Sequence, residues 1–270
     1  TTTSGTLTAS GTLTNLPTIS TNVTVDLTSG GSFGDATTLN GGSLQTAAFD
    51  YTGGNLTFTS GFHQASGALS NLPTIASGMS VDIVDGGSFA TATTLDGGTV
   101  STGAFDYSSG NLTFTSGTHQ LPGALTTLDA IGASQTLILD GSSATWSPSG
   151  GIEDGNVTLQ NNAKLNVGDY DASNLTFTNG DLTVTGTLTG LDALSNTNQD
   201  IILDGGTWSP SGSLEVGSRP DLGDNITLKN GGVLSLHDYT GYVANGSLTG
   251  SGGGTLTVSG TLTAGIFESF

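Results

Sequence analysis

The heptapeptide NLTFTSG stands at residues 55–61 and returns unchanged at residues 111–117. The same shift holds over a longer stretch, because residues 11–61 reappear in close copy as residues 67–117. Inside the heptapeptide, Leu and Phe alternate with Thr. Such alternation is typical of a strand that buries one face, and β-branched Thr suits the exposed side of a pleated sheet. The repeated unit is therefore built from short strands.

Two longer and more divergent units follow this close pair. They open with GALTTLDAI at residue 123 and GTLTGLDAL at residue 186, and both contain WSPSG, at 146–150 and 208–212. We divide the chain into repeat units of about 11–66, 67–122, 123–185 and 186–259, with partial repeats at 1–10 and 260–270. A single unit is too small to bury a core of its own, so we predict one continuous domain over residues 1–270.

Glycine pairs separate the short strands, and the spacing of these pairs helps to predict the fold class. The chain has 44 glycines, and pairs such as Gly86-Gly87 and Gly205-Gly206 follow short apolar runs that end in Asp. Strands this short form either antiparallel hairpins or the coils of a parallel solenoid. The long-period repeat favours an all-β chain folded as a single-stranded parallel β-solenoid. Each of the first two units would hold two long coils or three short ones, and we favour three coils of about 19 residues. Tandem β-sandwiches are the alternative, although a sandwich takes about 100 residues and each of these units is much shorter.

Runs such as GTLTVSGTLT at 254–263, LDGGTW at 203–208 and NLTFTSG resemble the repeats of bacterial parallel β-helix surface proteins. The nearest in style are the autotransporter-passenger and filamentous-haemagglutinin-like families. The resemblance covers essentially the whole chain and is one of repeat style. It implies a right-handed β-helix, export from the cell, and a role at the cell surface or in the matrix. It transfers no functional residue.

Composition excludes several classes of partner. The chain carries 22 acidic and three basic residues, a net charge of -19, and no cysteine. Three cations are too few to neutralise a nucleic-acid backbone, and an anionic membrane surface would repel the chain. Its apolar runs are far shorter than the roughly 20 residues of a transmembrane helix. We predict no nucleic-acid partner, no membrane insertion, and an extracellular or cell-surface location.

The residues that could carry chemistry are few. Asp precedes Tyr once in each unit, and this pair forms either a strip that stacks on sugars or a turn in which Tyr closes the core. We favour the structural interpretation, because a position repeated in every unit usually serves the fold. The pairs are Asp50-Tyr51, Asp106-Tyr107, Asp169-Tyr170 and Asp238-Tyr239. For His63, His119 and His237 we predict turn or ladder positions rather than a zinc site.

We predict no enzymatic activity. Glycoside cleavage needs one local carboxylate pair, whereas these acids are distributed through repeated turns. Arg219 lies in the least repeat-like stretch, residues 213–224, which we interpret either as the place of a lateral salt bridge between subunits or as a tolerated loop. We predict no cofactor. Calcium is the one ion that suits carboxylate-rich turns, although neither a repeat-in-toxin phrase nor an EF-hand loop is present.

The two ends of the sequence are nearly the same. Residues 5–14 and 254–263 are identical at nine of ten positions. An uncapped coil is an exposed sheet edge that recruits other strands, so either copies of the chain stack on one another or the sequence is a piece of a longer repeat protein. We predict a secreted structural subunit that is its own partner, stacking end to end by strand addition into a filament or sheath. The residues predicted to extend the apolar columns across the joint are Leu7, Leu13, Leu256, Leu262, Ile266 and Phe267.

Two alternative functions fit the same sequence. One is an adhesin at the cell surface that binds glycans or other cells. The other is an ice-binding solenoid, since Thr-x-Thr occurs often, as at Thr6-Thr8 and Thr255-Thr257. Ice binding requires these threonines to form rows on one uninterrupted face.

Overall fold

The structure is a computed structural model. It describes residues 4–149, 152, 155–191, 194, 199–210, 214–216, 225–236, 239–241, 247–250, 255–258, 262–263 and 267–268. Two compact units divide the chain: unit 1 comprises Thr1–Leu121 with Ser134–Leu137, and unit 2 comprises Pro122–Ala133 with Ile138–Phe270. Both units are parallel β-solenoids, and their coils make about 11 turns in all. The predicted fold class is confirmed.

The described residues form 34 strands and one short 3-10 turn, at Ala172–Asn174. The strands of the first half are β1 (Gly5–Thr8), β2 (Thr12–Leu13), β3 (Thr18–Ser20), β4 (Val23–Leu27), β5 (Ser32–Phe33), β6 (Thr37–Thr46), β7 (Phe49–Asp50), β8 (Leu56–Ala65), β9 (Ala68–Ser70), β10 (Thr74–Ala76), β11 (Met79–Ile83), β12 (Ser88–Phe89), β13 (Thr93–Thr102), β14 (Phe105–Asp106), β15 (Leu112–Leu121), β16 (Ala124–Thr126) and β17 (Gln135–Asp140). Those of the second half are β18 (Thr145–Trp146), β19 (Asn156–Gln160), β20 (Ala163–Val167), β21 (Tyr170–Asp171), β22 (Leu175–Phe177), β23 (Gly180–Val184), β24 (Thr187–Thr189), β25 (Gln199–Asp204), β26 (Thr207–Trp208), β27 (Leu214–Val216), β28 (Asn225–Lys229), β29 (Val233–Leu236), β30 (Tyr239–Gly241), β31 (Ser247–Gly250), β32 (Thr255–Val258), β33 (Leu262–Thr263) and β34 (Phe267–Glu268).

The coil length of unit 1 can be read along one column of the core. Its central sheet runs in the order β1-β4-β6-β8-β11-β13-β15, with every pair parallel. Three steps along the column lead from His63 to its repeat counterpart His119, so one repeat unit is three coils, as the sequence predicted. The column consists of Leu7, Val25, Leu44, His63, Val81, Val100 and His119.

Glycine allows the long strands of unit 1 to turn a corner. Strands β6, β8, β13 and β15 have ten residues each, and their pairing shifts register near the middle. At that point Gly117 has a φ of +102°, and a Cβ added there would overlap the carbonyl oxygen of Gly98 on the neighbouring coil. The corner of one coil thus packs against the backbone of the coil below, which leaves no room for a side chain.

Most strands of unit 2 belong to three parallel sheets, while β19 and β22 pair with one another in a further sheet. The first contains β16-β18-β20-β23-β25-β28-β31-β34, the second β21-β24-β26-β29-β32 and the third β27-β30-β33, in the order of pairing. Trp146 and Trp208, the largest side chains of its core, are each 1% exposed. Their indole N–H groups donate to carbonyl oxygens of the preceding coil, at Leu128 (2.9 Å) and Leu191 (3.0 Å). Both tryptophans of the WSPSG motifs are therefore structural.

Equivalent strands of the two longer repeats lie on different sides of the coil. Strands β16, β18, β20 and β23 share the first sheet, whereas their counterparts in the next repeat, β24, β26, β29 and β32, share the second. In unit 1 the counterparts β4 and β11, β6 and β13, and β8 and β15 all remain in one sheet. The shorter repeat therefore consists of whole coils. The longer repeat that opens at residue 123 adds one more side of a coil, so the equivalent strands of the next repeat lie on the following side. Repeated phrases do not stack directly on one another in either case; in unit 1, for example, the neighbour of His63 is Val81 rather than His119.

Among the residues that the structure describes, no helix has the length and apolar character that a membrane crossing requires.

Candidate assembly interface

The first edge coil consists of β1, β2 and β3, and the strand partner of β3 is β6. In its sheet β1 comes first and pairs only with β4, and in a two-stranded sheet β2 pairs with β5. Leu7 lies opposite Val25 and Leu13 opposite Phe33; both leucines are half-buried, although Val25 and Phe33 are buried. Within the described part of the chain nothing covers the other edge of these strands. This edge presents backbone N–H and C=O groups and two partly covered leucines.

The last edge coil consists of β32, β33 and β34, each the final strand of one of the three sheets of unit 2. Leu256 lies opposite Leu234 and is half-buried, whereas Leu234 is fully buried. In the backbone register Leu262 lies opposite Tyr239, and Phe267 opposite Leu248. The sixth predicted interface residue, Ile266, lies outside the described residues. The structure thus places three of the predicted residues in the last coil of unit 2, and Leu7 and Leu13 in the first coil of unit 1.

Both edge coils are nearly free of charged side chains. No Asp, Glu, Lys or Arg occurs in residues 1–25 or in residues 239–267. The stretch between them, residues 26–238, carries every acidic residue except Glu268 and all three basic ones. Although the whole chain has a net charge of -19, the strands that would face one another between stacked copies therefore bring few like charges together. The uneven distribution of charged residues is visible in the sequence, but the net charge of the whole chain does not show it.

In the middle of the chain the acids are held by hydrogen bonds between neighbouring coils. The side-chain amides of Asn71 and Asn230 donate to Asp50 (2.8 Å) and Asp204 (2.6 Å), and these bonds are the main reason that the pKa of each carboxyl is lowered. Lys229 adds an ion pair to Asp204 at 3.2 Å. Within the described residues no three acidic, His or Cys side chains converge on a point where a metal ion could sit.

The Tyr residues of two Asp-Tyr pairs point into the core and contact a histidine. The hydroxyl of Tyr107 lies 2.7 Å from Nδ1 of the fully buried His119, and Nε2 of this ring lies 2.9 Å from the Thr102 hydroxyl. Because that hydroxyl also donates to the Gly103 carbonyl, Nε2 carries the proton and Tyr107 donates to Nδ1. Burial lowers the pKa of this imidazole to about 3, which keeps the ring neutral and leaves Nδ1 as an acceptor.

The first repeat contains the same arrangement. Tyr51 and Thr46 contact the two ring nitrogens of His63, whose pKa burial also lowers to about 3. The structural interpretation of these two Asp-Tyr pairs is confirmed, and the two histidines occupy ladder positions in the core. The sequence did not predict the threonines as their partners. Asp238, His237 and Arg219 lie outside the described residues.

The threonines proposed for ice binding are divided among several sheets. Thr6 and Thr8 lie in β1, Thr12 in β2, and Thr255 and Thr257 in β32, which belong to three different sheets. Further Thr-x-Thr pairs share the sheet of β1, at Thr57-Thr59 in β8, at Thr113-Thr115 in β15 and at Thr176-Thr178, which begins in β22; these strands are not neighbours of one another in that sheet.

Comparison with protein-family models, with curated proteins and with solved structures finds no match to this chain.

Proposed function

We propose that this chain is a secreted structural subunit whose copies join end to end through their edge coils into an extracellular filament or sheath. The observation that carries the proposal is that the two edge coils contain uncharged stretches of nearly identical sequence, residues 5–14 and 254–263. All strand pairs at both edges are parallel, so a strand of the last edge coil can pair with a strand at the first edge of another copy in the same parallel sense.

The proposal includes no catalytic role and places the protein among bacterial β-helix surface proteins on repeat style. The buried position of His63 and His119 supports the first part, because general acid-base groups need access to a substrate. The acids of the middle coils support a stable scaffold, since Asn residues of neighbouring coils hold several of them in place.

Negative-stain microscopy and sedimentation of the purified chain over a range of concentrations test the proposal. We expect filaments that lengthen with concentration at physiological salt, with or without a calcium chelator, because the joined strands carry almost no charge. Monodisperse particles at every concentration would contradict the proposal.

Two variants that add the same charge, one at the joint and one elsewhere, test whether the edge coil forms the interface. Leu256→Asp buries a carboxylate at the joint and should reduce elongation at least about tenfold, since burying an unpaired charge costs more than the roughly 1.4 kcal/mol that equals a factor of ten. Thr57→Asp adds the same charge to an exposed position of β8, a strand that has partners on both sides, and should leave elongation unchanged.

A further inference from the structure

We infer that the joint forms by strand replacement, in which residues 254–263 of one copy take the place of residues 5–14 in the next copy. The inference rests on the proposed function and specifies the partner strand. In simple stacking, by contrast, β32 of one copy would lie beside β1 of the next, and residues 5–14 would stay in place.

The register of the first edge coil shows why replacement fits. Residues 5–8 pair with Val23–Asp26, and Thr12 and Leu13 pair with Ser32 and Phe33. Residues 254–257, 261 and 262 have the same identities as residues 5–8, 12 and 13, so they reproduce every paired position of β1 and β2. The single difference is Val258 in place of Ala9, and Ala9 bonds to the next coil through its backbone N–H, which donates to the Asp26 carbonyl (2.9 Å). Any residue except proline supplies that donor.

The last edge coil already has the required order of strands. Strand β32 lies parallel to β29 on one side, and within the described residues its other side has no strand partner. Strands β32 and β33 belong to different sheets that follow one another along the chain, as do β1 and β2. One copy of the segment can therefore pair with its own Val233–Leu236 on one side and with Val23–Asp26 of the next copy on the other.

The side chains and charges at such a joint are compatible. Leu256 would occupy the position of Leu7 against the fully buried Val25. The first acidic residue beyond the joint is Asp26, whose carboxylate already accepts hydrogen bonds from the backbone N–H (2.9 Å) and hydroxyl (2.6 Å) of Thr28. No acid of the incoming segment faces it, because residues 239–267 contain none.

Replacement also gives residues 5–14 a role in a single copy. They occupy the edge that the incoming segment requires, and thus act as a built-in competitor that slows the joining of copies. Since residue 254 takes the place of residue 5, the joined solenoid repeats after residues 5–253 of each copy.

Disulfide trapping in the full chain distinguishes the two joints, and a chain without cysteine gives no background. Replacement places Thr255 beside Thr24, whereas stacking places Thr255 beside Thr6. Parallel neighbours lie about 4.8 Å apart, within the Cα separation of a disulfide. We expect oxidised filaments of the Thr24→Cys/Thr255→Cys variant to run as covalent multimers in denaturing gels, and those of Thr6→Cys/Thr255→Cys to run as monomers. The reverse result overturns the inference and leaves the proposed function standing, whereas a chain that forms no filaments overturns both.

A second variant tests the competitor directly. Leu7→Asp/Leu13→Asp weakens the hold of residues 5–14 on β4 and β5. Replacement predicts elongation about tenfold faster or more, because an occupied edge lowers the apparent affinity by the fraction of copies in which it is free. Stacking predicts that elongation is lost, since the same leucines would then form the joint; that outcome overturns the inference.

Discussion

At the scale of single residues, Tyr51, Tyr107 and Tyr170 hold equivalent positions in three repeats, yet their hydroxyls differ in partner. Twelve residues after each of the first two stands a histidine, whereas twelve residues after Tyr170 stands Leu182. Tyr170 is 3% exposed and its hydroxyl has no hydrogen-bond partner. A polar core network in the first two repeats has thus become apolar in the third, except for one remaining hydroxyl.

This difference supplies a matched pair of substitutions. Tyr107→Phe leaves Nδ1 of the buried His119 without its donor, and we expect a loss of about 1 to 3 kcal/mol in the free energy of unfolding. Tyr170→Phe removes a hydroxyl that bonds to nothing, so stability should be unchanged or higher. Urea denaturation of both variants measures the contrast, and equal losses would show that the Tyr-His bond is not stabilising.

The two buried histidines should make stability depend on pH. Burial lowers each pKa from 6.5 to about 3, so in the folded chain each imidazole stays neutral where it would be protonated in the unfolded chain. The unfolded state therefore binds more protons between pH 6.5 and 3, and stability falls as the pH is lowered through that window. From pH 6.5 to 4.5 we expect a loss of about 2 to 3 kcal/mol for each histidine.

The control for this pH dependence is His63→Leu/His119→Leu, which copies the residue found at Leu182. Its carboxylates are those of the parent chain, so the difference between the two proteins reports the histidines alone. Urea midpoints at pH 6.5 and 4.5 give the comparison. The same slope in both proteins would mean that the imidazoles are not held neutral.

At the scale of strands, the corners of unit 1 depend on close backbone packing. Gly86 and Gly117 both have positive φ, +91° and +102°, but a Cβ at Gly86 would meet nothing within 4 Å. We expect Gly86→Ala to cost about 1 kcal/mol from backbone strain. Gly117→Ala should cost at least about 2 kcal/mol more, because its Cβ would overlap the Gly98 carbonyl. Thermal unfolding measures both, and equal losses would contradict the packing argument.

Most of the strand architecture could be predicted from sequence, because its causes are local. The alternation in Leu56-Thr57-Phe58 fixes which residues face inward, and the period of the first two repeats fixes three coils. The polar network of the core could not be predicted, since Thr46 and His63 lie on different coils and nothing local joins them. Alternation identifies an inward position without saying which side chain on another coil will meet it.

At the scale of the whole molecule, the shorter repeat unit adds complete coils and the longer one does not. Inserting a second copy of residues 67–122 between Ser66 and Gly67 should therefore leave each later strand on its side of the coil. We expect a Tm that is equal or higher, since stacked repeats add stability. Inserting residues 67–116 shifts the later strands out of phase, and should lower the Tm by more than about 5 °C. Circular dichroism melts would decide, with equal Tm values counting against this account.

The sequences of the longer repeats do not predict that their equivalent strands lie on different sides of the coil. This placement depends on coil lengths, which vary along one column of unit 2: the step from Leu165 to Leu182 is the shortest and that from Ile201 to Ile226 the longest. The column consists of Trp146, Leu165, Leu182, Ile201, Ile226 and Leu248. Loop residues that leave the sheet change these lengths without disturbing the alternation of the strands. The edge strands, by contrast, could be proposed as an interface from sequence, because residues 5–14 and residues 254–263 are nearly identical to one another.

Because each of the first two repeats consists of whole coils, the gene could gain or lose one repeat without disturbing the fold. Segments that encode similar repeats in tandem can align with one another during recombination, and an unequal exchange then adds or removes one of them. Because the segment lost or gained consists of complete turns, every surviving residue keeps a neighbour equivalent to its former one. Alleles of different length can therefore arise in one step without a compensating mutation, so this part of the chain is where natural variation in length should be concentrated.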